Sequence, residues 1–210
     1  MNFYVLELRG EWSPRKTADS PTHSLWSTAW EVDRMSGDSE KCPLCGRHVS
    51  MLSWKEPRKM RLTGKKYPDR LVDCLTEPLV VSDRFVKMYR DEGLSGISGF
   101  APIQVTNHGF GMPNYYLGHI SFNRSIEVDL AQTVIEGQLK EWSCPLCNPW
   151  GMSKDKIHKL VLLTEKWDGQ DIMRLYCFGI IVSQRFYDCV HQYGLTNFVM
   201  TEVGQYKFGV

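Results

Sequence analysis

The chain has 210 residues, 42% of them hydrophobic and 23% charged, enough for one large domain or two intimate small ones. Its 25 basic and 24 acidic residues leave a net charge of +1, which argues against general nucleic-acid affinity, since that needs a strong basic surplus. No apolar run reaches the ~18 residues of a membrane-spanning helix. Seven cysteines, an odd number, fit metal-bound thiolates in a reducing cytoplasm better than a disulfide framework.

Met1 to Arg9 alternates like a strand and has neither the basic lead nor the cleavage site of a secretory signal. Glu11 to Ser24, rich in Ser, Thr, Pro and charge, reads as a surface loop. Cys42-Pro43-Leu44-Cys45 then sets two sulfurs at the spacing of a metal knuckle. Between Lys55 and Arg70 lie seven basic residues (Lys55, Arg58, Lys59, Arg61, Lys65, Lys66, Arg70), with Trp54 beside them. They read as a solvated hairpin with its turn near Thr63-Gly64-Lys65-Lys66, facing an acidic partner or, as the alternative, nucleic acid.

Pro78 to Val81 is a short apolar run ending at Ser82, a good helix N-cap. Asp83 to Glu92 then places Phe85, Met88 and Tyr89 on one helical face, with Gly93 as the C′ residue. Leu94 to Asn114, rich in glycine with two prolines, reads as a join between halves. Glu127 to Leu139 is expected to be helical, with Val128, Ala131, Ile135 and Leu139 inward. Cys144-Pro145-Leu146-Cys147 is a second knuckle. Leu160–Leu163 and Ile172–Tyr176 flank Asp168-Gly169 and read as a hairpin. A second helix is expected after Ser183, with Phe186, Cys189 and Val190 inward and Gly194 as its stop.

The chain repeats itself. Val81-Ser82-Asp83-Arg84-Phe85 returns as Val182-Ser183-Gln184-Arg185-Phe186, and Gly93-Leu94-Ser95 as Gly194-Leu195-Thr196, both at an offset of 101. The knuckles are offset by 102, and Asn2-Phe3-Tyr4-Val5 resembles Asn114-Tyr115-Tyr116-Leu117. The expected fold is α+β: two tandem-duplicated halves, 1–110 and 111–210, with antiparallel sheets, forming one unit joined by the knuckle pair. Arg84 and Arg185 stand at equivalent places and are candidates for ion pairs at the interface of the halves.

Four thiolates from Cys42, Cys45, Cys144 and Cys147 match a structural Zn(Cys)₄ site, which leaves no position for water and is not catalytic. His48 and His158 are possible substitute ligands, and a pair of redox CxxC sites is the rival reading, without the βαβ context it needs. Cys74, Cys177 and Cys189 read as small core hydrophobes. No Cys-His or Ser-His-Asp arrangement can be assembled from six scattered histidines, so an enzyme is not expected. Trp142 and Trp150 bracket the second knuckle and are expected to cover it, whereas Trp12, Trp26 and Trp167 are candidate interface anchors.

At its two Cys-Pro-Leu-Cys motifs, the first followed by Gly46, the chain resembles the myxobacterial double-CxxCG paralogous family, over almost its whole length. Asn148 stands where the second glycine of that pattern would be, and asparagine also tolerates positive φ. The resemblance implies a cytoplasmic immunity protein that binds and neutralises one cognate toxin domain by occlusion. The alternative is a zinc-ribbon-type nucleic-acid or transcription-associated binding protein. No membrane partner is expected, and monomer and homodimer both stay open.

Overall fold

The computed structural model describes residues 2–7, 39–49, 54, 56–62, 67–71, 79–107, 109–120, 125–137, 144–147, 156–175 and 179–208. Among them are thirteen strands and two helices. The strands are β1 (Phe3–Leu6), β2 (Lys59–Met60), β3 (Arg70–Leu71), β4 (Leu79–Ser82), β5 (Ile97–Val105), β6 (Tyr115–Ile120), β7 (Glu127–Val128), β8 (Val134–Glu136), β9 (Lys156–Lys159), β10 (Leu162–Leu163), β11 (Ile172–Leu175), β12 (Gly179–Ser183) and β13 (Met200–Glu202). The helices are α1 (Asp83–Asp91) and α2 (Gln184–Gln192). The α+β class and the mostly antiparallel pairing agree with expectation.

A five-stranded sheet runs β2-β5-β6-β4-β3 and a four-stranded sheet runs β11-β12-β1-β13. Among the described strands every pairing is antiparallel except β2 with β5. The order interlocks the two ends of the chain. β1 pairs with β12, Phe3 opposite Ser183 and Tyr4 opposite Val182, while β6 pairs with β4, Tyr115 opposite Ser82 and Tyr116 opposite Val81. In each case an aromatic strand lies against the strand that feeds a helix, from far upstream of it for β1 with β12 and from just downstream for β6 with β4.

Both of those feeding strands read as unbroken apolar runs because they are covered on both faces. Leu79 and Val81 of β4, with Ile180 and Val182 of β12, point into the main core, which holds Phe85, Met88, Phe186, Val190 and Phe198. Val80 points the other way, to Met60, Leu71, Ile103 and Tyr115. Ile181 likewise meets Phe3, Val5, Ile157 and Met173. Side-chain alternation with period two divides three successive residues between separate cores.

The helices begin and end as their sequences require. Ser82 Oγ accepts the N–H of Phe85 at 3.2 Å, and Ser183 Oγ that of Phe186 at 3.2 Å. At the other end Leu94 N–H reaches Tyr89 O and Gly93 N–H reaches Arg90 O, a Schellman cap made possible by Gly93 at φ +59°. Gly194 at φ +57° repeats it, with Leu195 bonding Val190 and Gly194 bonding His191. The buried faces are Phe85, Val86, Met88, Tyr89 and Phe186, Cys189, Val190.

Three expectations are corrected. Residues 127–137 form no helix: the Asp129 carboxylate accepts the N–H groups of Ala131 and Gln132 at 2.9 and 3.2 Å, closing a turn between β7 and β8. That local side-chain bond competes with helix, and β9 and β10 supply strand partners instead. Leu162–Leu163 makes no hairpin with Ile172–Leu175. It pairs with Val128 and Glu127, and β11 pairs with β12. Leu94–Asn114 is no mere join, since it contains the nine-residue β5. Its glycine and proline have strand roles: the register shifts between Ile97 and Gly99, and Pro102 precedes Gln104 and Thr106, whose N–H groups donate to Arg58 O and Met60 O on the β2 side.

Candidate metal centre

The first knuckle is the tip of a small antiparallel loop. Lys41 bridges to His48, Val49 N–H donates to Glu40 O at 2.8 Å, and Cys42 N–H donates to Arg47 O at 2.7 Å. Gly46 closes the turn by donating to Cys42 O at 2.8 Å from φ +72°, in open space. Pro43 fixes φ at the second position and carries no N–H of its own. The second knuckle, Cys144–Cys147, repeats the turn.

The structure brings the two together across 102 residues of sequence. The four sulfurs of Cys42, Cys45, Cys144 and Cys147 all lie within 4.8 Å of one another. Cys42 Sγ is 3.8 Å from Cys144 Sγ, and Cys45 Sγ is 3.4 Å from Cys147 Sγ. Thiolates about 2.3 Å from one tetrahedral ion stand about 3.8 Å apart, so the spacing suits a metal. It exceeds by far the ~2.05 Å of a disulfide. Cys42, Cys144 and Cys147 are buried with Val49 and partly buried Leu146 as a cluster separate from the three larger cores, while Cys45 is exposed.

The knuckle backbone prepares the thiolates. Cys144 is brought down to about 6, first by the N–H of Cys147, against burial and with help from the N–H of Leu146. Burial pushes the Cys42 thiol up, but the N–H groups of Cys45 and Leu44 and the neighbouring thiols outweigh it and leave it below its ordinary value. Deprotonated sulfurs are the form that ligates a cation.

Other site expectations fare unevenly. His48 is hydrogen-bonded with Ser39 Oγ at 2.7 Å and His158 faces Glu136 at 3.3 Å, so neither joins the sulfurs. Trp12, Trp26, Trp142, Trp150, Cys74 and Cys177, like the Glu11–Ser24 loop, lie outside the described residues. Cys189 is buried, and burial raises its thiol. Trp167 is no exposed anchor. Its ring stands edge-on to Phe3 at 5.2 Å, and its Nε1 donates to Gln170 O at 3.0 Å. Trp54 is buried in the second core.

The basic run is not a continuous solvated patch. Arg70 is buried and donates to Glu7 O at 2.8 Å, and Arg58 pairs with Glu56 at 2.6 Å. Of the rest, Lys55, Lys65 and Lys66 are outside the described residues.

Sequence reading missed the residues that receive the repeated arginines. Asp69, 3% exposed, accepts Ser82 Oγ at 2.7 Å, Arg84 Nη1 at 3.0 Å and Thr196 Oγ1 at 3.0 Å. Asp171, 2% exposed, accepts Ser183 Oγ at 2.9 Å, Arg185 Nη1 at 3.3 Å and Ser95 Oγ at 3.2 Å. Each arginine also reaches the C-cap carbonyl of the opposite helix, Arg84 to Tyr193 and Arg185 to Glu92. The two aspartates stand at the knuckle offset, and that was the signal available.

No protein-family model matches the chain, and no curated protein is significantly similar to it.

Proposed function

We propose that this chain is a non-catalytic binding protein clasped by a structural zinc ion, and that it acts as an immunity protein against a cognate toxin domain. The observation that carries the zinc reading is the convergence of four cysteine sulfurs within 4.8 Å from knuckles on distant parts of the chain. An all-thiolate set is closed and soft, which suits Zn²⁺ in a scaffold role. Thiolates of this kind persist in a reducing compartment, so the cytoplasm is the proposed location. The recurrence of strand register, helix cap, aspartate and arginine in the same order, the last three within one residue of a common offset, supports descent from a tandem duplication of halves 1–110 and 111–210.

The immunity reading rests on the likeness of the two knuckles and the Val-Ser-x-Arg-Phe segments to the double-CxxCG family. Two exposed apolar residues, Phe110 at the Gly109–Gly111 turn and Leu44 at the tip of the first knuckle, are offered to a partner. Elemental analysis of protein purified under reducing conditions should give one zinc per chain; a ratio near zero after zinc-replete growth refutes the clasp. Coexpression with the toxin encoded beside it should protect cells and yield a stoichiometric complex by gel filtration. Unprotected cells without a complex refute the immunity reading.

A further inference from the structure

The four sulfurs are not equally placed. Cys42, Cys144 and Cys147 are 2%, 2% and 1% exposed, whereas Cys45 is open to solvent. Cys42 and Cys144, the first cysteines of their knuckles, are each held by two N–H groups of their own turn. Cys45, the accessible sulfur, lies 3.4 Å from Cys147 of the other knuckle. An oxidant arriving from solvent therefore meets Cys45 first, and among the sulfurs gathered around it Cys147 of the opposite knuckle stands at 3.4 Å.

We propose that Cys45 and Cys147 form a hydroperoxide-responsive pair that converts the metal clasp into a covalent one; this deepens, and rests on, the reading of the cluster as a zinc site. The Cys45 thiolate attacks one peroxide oxygen: an S–O bond forms, the O–O bond breaks, and hydroxide leaves a sulfenic acid. The Cys147 thiolate then attacks that sulfur: an S–S bond forms, the S–O bond breaks, and a second hydroxide leaves. Two thiolates give up two electrons and the peroxide takes them. Closing 3.4 Å to the length of a disulfide moves the sulfurs by only about 1.4 Å. Of the four thiolates only Cys42 and Cys144 would then remain to hold an ion, too few to retain it. The knuckles stay joined.

The test uses the whole reduced chain, zinc-loaded and metal-free in parallel, titrated with hydrogen peroxide. A chromogenic chelator follows metal release, and mass spectrometry of an alkylated, non-reduced digest identifies the bonds. The expected result is a Cys45–Cys147 disulfide that appears first, in step with loss of one zinc equivalent, and is reversed by dithiothreitol. A first bond within a knuckle, Cys42–Cys45 or Cys144–Cys147, overturns the proposal, as does Cys45 passing to sulfinic acid without bonding Cys147. If the chain proves to bind no zinc, yet the metal-free sample still forms Cys45–Cys147 first, the zinc reading fails and the reactive pair stands. If zinc binds and is released with within-knuckle bonds, the pair alone fails.

Discussion

Thr196 donates both its backbone N–H, at 2.9 Å, and its hydroxyl, at 3.0 Å, to one oxygen of Asp69, 127 residues away in the chain. Ser95 does the same to Asp171, at 3.0 and 3.2 Å. Each aspartate thus fixes the start of one helix, through its capping serine, to the residue that follows the end of the other. The carboxylates are buried while the arginines that cover them are more than half exposed.

That contrast sets a prediction. Asp69→Ala or Asp171→Ala strips a buried cap serine, a backbone N–H and a guanidinium of their acceptor, and is expected to cost about 2–4 kcal/mol in urea denaturation. Arg84→Ala, at the solvent-facing end of the same network, should cost about 1 kcal/mol or less. Equal losses for the aspartate and arginine variants would show that the buried carboxylate is not the centre of the network.

Gly96 sits at φ +106°, and a Cβ added there would lie 1.9 Å from the carbonyl oxygen of Ile172. The close approach exists because Ser95 O accepts the N–H groups of both Asp171 and Ile172. Gly96→Ala must therefore push apart backbones that hydrogen bonds hold together, with a strained φ besides, and should cost about 3 kcal/mol or more. Gly194→Ala, with positive φ but nothing within 4 Å, is the control at about 1 kcal/mol. Similar melting points for the two variants would refute the backbone-contact account.

Local sequence signals were reliable where one short segment determines its own structure. Ser82 and Ser183 as caps, Gly93 and Gly194 as stops, and the faces they bound are all found in the structure. The four converging cysteines were legible for the same reason, since each knuckle is a four-residue turn. Pairing between distant strands was not legible. Nothing local to Leu162–Leu163 tells it to choose Val128 over Ile172, and the interlock of β1 with β12 is decided by burial on both faces. The apparent helix at 127–139 failed because apolar spacing cannot register a side-chain turn at Asp129.

Tyr193 donates its hydroxyl to Glu92 at 2.7 Å, joining the C-caps of the two helices. That bond to a carboxylate, then burial, pushes the phenol up to about 12. A raised folded value means the contribution to stability is full below the ordinary pKa of 10.0 and is lost as pH rises through about 12. Burial raises Tyr89 and Tyr115 as well, so ultraviolet titration should show several tyrosines ionising late, and Glu92→Gln should bring one of them back toward 10. A curve unchanged by Glu92→Gln would remove the carboxylate as the cause.

The four clustered cysteines form their own small group with Val49 and Leu146, apart from the core that holds both helices. Removing the metal should therefore loosen the knuckles without dissolving the fold around Phe85 and Phe186. Cys42→Ser and Cys144→Ser are each expected to abolish stoichiometric zinc and lower the melting temperature by about 5–10 °C, a loss of a few kcal/mol in a chain of this size. A strong chelator should do the same to the unmodified protein, and added Zn²⁺ should restore it. The far-ultraviolet spectrum should persist, because neither helix touches the sulfurs. Lost metal with unchanged melting would show that the clasp does not tie the distant parts of the chain. Collapse of the spectrum would show that the helical core depends on it. Between those limits, the proposed zinc would stabilise a peripheral joint, and the interlocked sheets, with Asp69 and Asp171, hold the rest.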